Sequence, residues 1–82
     1  MNTTLDVLIE YIRSETGWSG PLSANEDLLQ AGVLDSFNIV SLAMFAQERF
    51  EVELEGEDLV RDNLATLSSL VALIEKRRAE QA

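Results

Sequence analysis

A carboxylate and a hydroxyl group adjoin in the segment Gly32-Val33-Leu34-Asp35-Ser36-Phe37, where a polar stretch gives way to a helical pattern. A serine in the first turn of a helix faces solvent, and the unpaired N–H groups and the positive end of the helix dipole favour an attached anion. Ser36 is therefore suited to carry a phosphate ester. The alternative role is local, because Asp and Ser are both preferred helix caps and Asp35-Ser36 fits capping alone.

The residue types that many enzymes use are missing from this chain. It has no histidine and no cysteine, which removes the usual base at neutral pH, the commonest metal ligand and any thiol chemistry. No Gly-rich phosphate loop or metal-ligand motif accompanies the carboxylates. We therefore expect no catalytic residue and no metal site, so that a reaction at Ser36 is carried out by another protein.

Acidic side chains outnumber basic ones by 15 to 6, which gives the 82-residue chain a formal net charge of −9. This charge opposes binding to nucleic acid or to anionic membranes and favours partners with basic surfaces. The first residues lack the basic start and the apolar run of a signal peptide, and no window approaches a membrane span. We expect a cytoplasmic protein that binds neither nucleic acid nor membranes.

The apolar pattern predicts an all-α single domain, 1–82, with one small core. Leu5, Leu8, Ile9 and Ile12 recur at helical spacing behind a threonine cap, and Gly17 supplies a stop. The predicted elements are helix one at about 4–15, a long loop at 17–35, helix two at 36–50, a short helix three at about 56–61 followed by a break at Asp62-Asn63, and helix four at about 66–79.

The segment 17–35 is rich in Gly, Ser and other turn residues, a composition that fits a loop better than a helix. Loops of this length in small domains are usually functional or disordered, and the scattered apolar side chains favour a functional, ordered loop. We expect five of these side chains to anchor it to the domain: Trp18, Leu22, Leu28, Leu29 and Val33.

Helix two has two apolar faces, and one small core cannot easily bury both. One stripe follows the spacing that packs against other helices: Ile39, Leu42, Ala43, Ala46 and Phe50. The other, Phe37, Val40 and Met44, begins beside Ser36 and suits a docking surface for partner proteins. Periodicity alone leaves a second interpretation open, in which these three residues widen the core stripe or lie beneath the long loop.

The order of these segments resembles the acyl and peptidyl carrier protein family along nearly the whole chain. The matching features are an amphipathic helix, a long loop, Leu28-Leu29 followed by Gly32, the run Leu34-Asp35-Ser36, an unbroken helix ending Glu48-Arg49-Phe50, a short acidic helix and a final helix. The resemblance implies a four-helix bundle of the acyl-carrier type, with a long loop between helices one and two and a short third helix. It also implies a monomer, since a carrier visits several partners in turn.

In that family a phosphopantetheinyl transferase attaches 4′-phosphopantetheine from coenzyme A to the serine at the start of helix two, which Ser36 matches. The resemblance implies that Asp35 helps to present this serine to the transferase and its magnesium-bound substrate. It also favours docking for the exposed strip of helix two: Phe37, Val40, Met44 and the acidic Glu48. The implied protein is non-catalytic, and its other partners are an acyl- or aminoacyl-loading enzyme and a downstream acyltransferase, synthase or condensation enzyme.

Helix two departs from one branch of the family. Carriers of fatty acid synthesis typically have Leu after the serine and several acidic residues along helix two, whereas this chain has Phe37 and an almost uncharged helix until Glu48. We therefore expect a discrete, stand-alone carrier of a specialised polyketide or nonribosomal-peptide type pathway, with an aminoacyl, hydroxyacyl or polyketide extender cargo. The competing hypothesis is a small acidic helical protein–protein interaction module without a prosthetic group, in which Ser36 only caps helix two.

Overall fold

The computed structural model describes residues 3–81, and all regular structure in that range is helical. The four α-helices are α1 (Thr4–Thr16), α2 (Ser36–Phe50), α3 (Arg61–Leu64) and α4 (Leu67–Gln81), and a single 3₁₀ turn (Gly56–Asp58) lies between α2 and α3. The three longer helices pack against one another, and α3 packs on α4. The predicted all-α class with four helices is confirmed for the described residues.

The ends of the helices follow from local caps. The Thr3 hydroxyl accepts a hydrogen bond from the Asp6 N–H at 3.1 Å, and the Asp6 carboxylate accepts one from the Thr3 N–H at 3.3 Å, which together form a capping box. Gly17, at φ 75°, ends α1 in the left-handed conformation that glycine adopts without strain. The Thr66 hydroxyl accepts from the Ser69 N–H at 3.1 Å and so caps α4. The bounds of α1, α2 and α4 accordingly lie within about two residues of the predicted ranges.

One apolar core joins the three longer helices. Its fully buried side chains include Leu8 and Ile12 from α1, Leu42 and Ala46 from α2, and Leu70 and Ile74 from α4. Complete burial of a leucine or isoleucine side chain stabilises a fold by roughly 1.5–3 kcal/mol, so these contacts hold the helices together without disulfides. The predicted core stripe of α2 is confirmed: Ile39, Leu42, Ala43 and Ala46 are buried, and Phe50 is half-buried.

The segment between α1 and α2 is tied to the junction between α3 and α4. The Leu28 N–H donates to the Ala65 carbonyl at 2.8 Å, and the Ser68 N–H donates to the Ala24 carbonyl at 2.8 Å. These two backbone bonds tie the segment to the α3–α4 junction, and they fix the path of the chain toward α2. Four of the predicted anchors contribute: Leu28 and Val33 are buried, and Leu22 and Leu29 are half-buried.

Trp18 is the fifth predicted anchor, and that prediction is wrong, because 39% of its surface is exposed. Its ring lies against Gly20, where an added Cβ would be 2.9 Å from a ring carbon, and its indole N–H donates to the Pro21 carbonyl at 3.3 Å. Arg13 holds the same turn by donating to the carbonyls of Trp18 and Gly20 at 3.2 and 2.8 Å. Trp18 therefore packs on its own turn and not in the core.

The predicted third helix, about 56–61 with a break at Asp62-Asn63, is wrong in its position. The structure instead has the 3₁₀ turn, then Val60 in an extended conformation (φ −114°, ψ 155°), and only then α3. Leu64 explains part of this shift, because its side chain is buried in the core and α3 therefore packs against the domain. Asn63 explains the rest, because its side-chain amide donates to the Asp58 carbonyl at 3.0 Å and joins the two turns.

Asp58 is the one polar residue among the buried residues of the described range, with 6% of its whole surface exposed. Its carboxylate accepts hydrogen bonds from Arg77 Nε at 3.0 Å and Arg77 Nη2 at 2.7 Å, and a third from the Glu55 N–H at 3.0 Å. These bonds, above all those from Arg77, hold the pKa of the Asp58 carboxyl below its ordinary value. The ion pair fastens the 3₁₀ turn to α4.

Replacing Asp58 with asparagine should flatten the acid dependence of stability. The pKa of Asp58 is lower in the folded protein than in the unfolded chain, so the unfolded state binds more protons as the pH falls past the ordinary value of 3.8. The carboxylate therefore stabilises the fold above that pH and loses its contribution as the pH falls through the folded pKa. In urea unfolding, Asp58→Asn should be less stable than the parent at neutral pH, and the difference should shrink in acid.

The exposed Asp62 provides the matched control for this experiment, since Asp62→Asn makes the same change of charge on the same segment. An equal effect of the two substitutions on the acid dependence would contradict the role given to Asp58.

Candidate functional site

Ser36 is the first residue of α2, and its side chain is exposed. The chain reaches it through a reversal at Leu28, whose carbonyl accepts hydrogen bonds from the N–H groups of Val33 and Leu34 at 3.0 and 3.1 Å. Gly32 makes the reversal possible with φ 82°, a conformation that other residues adopt only with strain. Val33 and Leu34 are buried, so the chain leaves the core at this point and presents the serine to solvent.

Asp35 is the residue that caps α2. Its Oδ1 accepts hydrogen bonds from the Phe37 N–H at 3.0 Å and the Asn38 N–H at 2.7 Å. None of the hydrogen bonds among the described residues engages the Ser36 hydroxyl. The local alternative in which Ser36 itself caps the helix is therefore wrong, and its hydroxyl is available at the positive end of the α2 dipole.

Phe37, Val40 and Met44 face solvent, with 76%, 57% and 61% of their surface exposed. Together with Ser36 and Ser41 they line a shallow depression of about 440 Å³ on α2. The interpretation in which these three apolar side chains widen the core is therefore wrong. A contiguous exposed apolar strip of this kind is typical of a surface that a protein partner covers.

Leu59 and Val60 form a further exposed apolar pair that sequence reasoning placed inside the third helix. They lie between the 3₁₀ turn and α3, with 44% and 46% of their surface exposed. Leu59 lines a cleft of about 120 Å³ against α2, together with Val40 and Met44. The signal for it in the sequence is an apolar dipeptide within an acidic stretch.

Glu48 is exposed on α2, one turn beyond Met44, and it does not line the depression. Within residues 3–81 there is no group of acidic side chains arranged to hold a metal ion. In the same range no helix has both the length and the apolar character that crossing a bilayer requires.

The fold and the site define a small all-helical protein that presents an unengaged serine hydroxyl, beside an exposed apolar strip, at the start of its second helix. The sequence profile of the phosphopantetheine attachment site family matches residues 6–74. The chain belongs to this family. No solved structure gives a significant match to it.

Several relatives are named as D-alanyl carrier proteins. The protein of Staphylococcus saprophyticus is 31% identical over 74 residues, which cover 90% of this chain and 91% of the relative. The proteins of Bacillus mycoides strain KBAB4 and Bacillus cereus strain B4264 are 41% and 39% identical over 51 residues, which cover 62% of this chain. Those two alignments span 65% of each relative's length.

Family membership establishes the prosthetic group and the kind of role. Proteins of this family carry covalently attached 4′-phosphopantetheine and are non-catalytic carriers, which confirms both predictions. The competing hypothesis of an interaction module without a prosthetic group loses its support. The site fits the group, because an exposed and unengaged hydroxyl at a helix N-terminus has room for a phosphate ester and a favourable electrostatic setting for its charge.

Loss of the Asp35 cap should destabilise the protein measurably. Asp35→Ala leaves the Phe37 and Asn38 N–H groups without their acceptor and should lower the free energy of unfolding by about 1 kcal/mol. Asp35→Ser should retain most of the stability, because a serine hydroxyl accepts the same kind of hydrogen bond. Urea unfolding of the two variants measures the difference, and equal losses would contradict the capping role.

Proposed function

We propose that Ser36 is the attachment site of the 4′-phosphopantetheine arm and that the protein is a discrete carrier of aminoacyl groups. The observation that carries the proposal is an exposed, unengaged hydroxyl at the N-terminus of α2, next to an aspartate that already caps the helix. When bound, the arm supplies a flexible thiol that holds the cargo as a thioester and raises its effective concentration at a partner's active site.

Three other serine hydroxyls, those of Ser41, Ser68 and Ser69, are less suited to the modification. Ser41 is half-buried in the second turn of α2, away from the helix end. The Ser68 hydroxyl donates to the Asn25 side chain at 2.8 Å, and the Ser69 hydroxyl accepts from the Thr66 hydroxyl at 2.8 Å. Ser36 differs from these three serines because its hydroxyl is exposed, makes no hydrogen bond within the described part of the chain and lies at a helix N-terminus.

In the attachment step, Ser36 acts as the nucleophile. Its Oγ–H bond breaks and an Oγ–P bond forms to the pantetheine-bearing phosphate of coenzyme A, while the bond from that phosphorus to the departing adenosine 3′,5′-bisphosphate breaks. The proton passes to a base of the transferase. The first N–H groups of α2 and the helix dipole then stabilise the negative charge of the phosphodiester.

Asp35 has a second part in this proposal. The hydrogen bonds that cap α2 engage its Oδ1, so the remaining carboxylate oxygen is the one available to the transferase and its magnesium-bound substrate. Fixing the carboxylate against two backbone N–H groups also fixes the direction of that second oxygen. In this role Asp35 presents the serine and contributes electrostatics, without attacking any bond itself.

Phe37, Val40 and Met44 form the proposed docking strip, because they are exposed, adjacent to Ser36 and not needed for the core. Glu48 adds an acidic group beyond the end of the strip, and with the net charge of −9 it favours partners whose contact surfaces are basic. The proposed partners are a phosphopantetheinyl transferase, an aminoacyl-loading enzyme and a downstream acyltransferase, synthase or condensation enzyme. They bind in turn to a monomeric carrier in the cytoplasm.

The names of the relatives favour an aminoacyl cargo. An alignment with the S. saprophyticus D-alanyl carrier protein along 90% of the chain makes D-alanine the first cargo to test. The departures at Phe37 and along helix two point away from fatty acid synthesis, and an aminoacyl group was one of the three cargoes expected from them. The relatives described above give no support to a polyketide extender.

Ser36→Ala should abolish the addition of phosphopantetheine by a broad-specificity transferase with coenzyme A, because the attacking oxygen is gone. Ser41→Ala, on the same helix, is the matched control and should be modified like the parent. Intact-protein mass reports both results. Circular dichroism should show Ser36→Ala folded, since Asp35 supplies the cap, and a phosphopantetheine mass gain in the folded variant would refute the assignment.

The phosphopantetheine form of the parent should gain the mass of one alanyl group when incubated with ATP, D-alanine and the enzyme that charges the S. saprophyticus carrier. L-alanine and malonyl-coenzyme A are the comparison donors, and the S. saprophyticus carrier is the positive control. Hydroxylamine should release the alanyl group, as expected for a thioester. Charging of the control without charging of this chain would contradict D-alanine as the cargo.

A further inference from the structure

The segment that contains Leu59 and Val60 has too little regular structure to be stable without contacts to the rest of the protein. The 3₁₀ turn before it has three residues and α3 after it has four, and helices this short are not stable by themselves. No side chain caps α3. The place of this segment against α2 therefore depends on contacts with the rest of the fold.

Two ion pairs flank the exposed dipeptide directly. On one side, Asp58 is bound to Arg77 of α4 by two hydrogen bonds, and only 9% and 18% of the two side chains are exposed. On the other side, Arg61 Nη2 lies 2.7 Å from Asp27 Oδ2, in a more exposed pair. The first pair is the better defined, because a guanidinium fork on one carboxylate fixes both a distance and an angle.

The position of Leu59 matters because, together with Leu64, it lines the 120 Å³ cleft opposite Val40 and Met44 of α2. With Leu59 in place, the docking strip of α2 continues across the cleft to an exposed apolar side chain outside that helix. Buried ion pairs contribute little net stability compared with apolar side chains of similar volume, so their value in a fold is more often geometric. Here the geometry that the pair sets is that of Leu59 relative to α2.

We infer that the Asp58–Arg77 ion pair is a positioning contact, which holds Leu59 against the α2 strip so that the transferase that modifies Ser36 meets one continuous apolar surface. The inference rests on the proposed attachment at Ser36. Met44 is eight positions beyond Ser36 along α2, about 12 Å at 1.5 Å per residue, a distance well within the footprint of an enzyme that encloses the serine.

Charge complementarity supports the same partner. Glu57 and Asp62 are exposed on either side of the Leu59-Val60 pair, and the charge of the intervening Arg61 is paired with Asp27, so the apolar surface has an acidic border here. A transferase that handles coenzyme A needs cationic groups for the phosphates of its substrate, and such groups near its active site match this border.

The test compares the steady-state kinetics of a broad-specificity phosphopantetheinyl transferase with coenzyme A on the parent and on Asp58→Leu/Arg77→Met. This double substitution replaces the fork with apolar volume, and it also removes the acceptor of the Glu55 N–H and the ion pair of Arg77 with Glu80, so the melting temperature should fall only modestly. The KM for the carrier should rise about tenfold with little change in kcat. Hydrogen exchange at the amides of 59–64 should become faster. Arg78→Met, which removes the same charge one residue along α4, should leave KM and exchange unchanged.

A coupling experiment separates positioning from a general loss of structure. Leu59→Ala alone should raise the KM to a similar extent, and adding it to the double substitution should cause no further rise, because the ion pair acts through Leu59. Phe37→Ser, on the α2 strip itself, serves as the positive control for docking. If Asp58→Leu/Arg77→Met does not fold, Arg77→Lys replaces it, since lysine keeps the charge but lacks the fork and should still raise the KM.

An unchanged KM in a variant whose 59–64 amides exchange faster would overturn the inference, and so would additive effects of Leu59→Ala and the double substitution. These results are distinguishable from failure of the proposed function. If the parent chain itself is not modified, the attachment proposal fails and the inference fails with it. If the parent is modified normally and the variants match it, only the inference fails.

Discussion

Leu28 fixes the position of the functional site through its backbone hydrogen bonds and its buried side chain. The side chain is fully buried, its N–H donates to the Ala65 carbonyl at the α3–α4 junction, and its carbonyl accepts from Val33 and Leu34 just before α2. One residue outside any helix thus links the start of α2 to the α3–α4 junction. Since the segment around it has no regular helix to stiffen it, the place of Ser36 follows from this tertiary contact.

One part of the surface of α2 packs against the rest of the fold, and another part faces solvent beside Ser36. Its buried stripe meets the core, and on another side Phe45 stacks on Tyr11 of α1 with ring centroids 4.1 Å apart. These contacts fix the helix on two sides. The exposed strip of Phe37, Val40 and Met44 does not contribute to the core. Because stability does not require that strip, its side chains are free to serve partners. Because the carboxylate of Asp35 caps the helix, the hydroxyl of Ser36 remains unengaged.

Local signals account for what the sequence predicted correctly. α2 is an uninterrupted helical pattern behind a capping residue, so its bounds and its buried stripe followed from spacing. The exposure of Phe37 did not, because periodicity treats a wide core stripe and a second surface alike. The predicted position of the third helix is wrong because four residues are too few to show a helical period. The residue type of Asn63 predicts a helix break, whereas its side-chain amide donates to the Asp58 carbonyl and joins the 3₁₀ turn to α3.

Contacts between distant residues account for what the sequence could not predict. Asp58 and Arg77 are nineteen residues apart, and nothing in either local pattern marks them as partners. Trp18 is apolar enough for the core, but its indole N–H donates to the Pro21 carbonyl and its ring packs on Gly20 of the same turn. The attachment chemistry is better encoded, since a serine, its cap and a helix N-terminus are neighbours in the sequence. The cargo is not, because it resides on the arm and is selected by partner enzymes.

The central claim is that the arm is attached to Ser36 and to no other hydroxyl, and fragmentation mass spectrometry of the modified parent protein tests it most directly. Trypsin cuts after Arg13 and Arg49 and releases the peptide 14–49, which contains Ser14, Ser19, Ser23 and Ser41 as internal competitors. Every fragment ion that carries phosphopantetheine should include Ser36, and fragments that end before it should be unmodified. Phosphopantetheine on a fragment that lacks Ser36 would show that the arm is attached elsewhere.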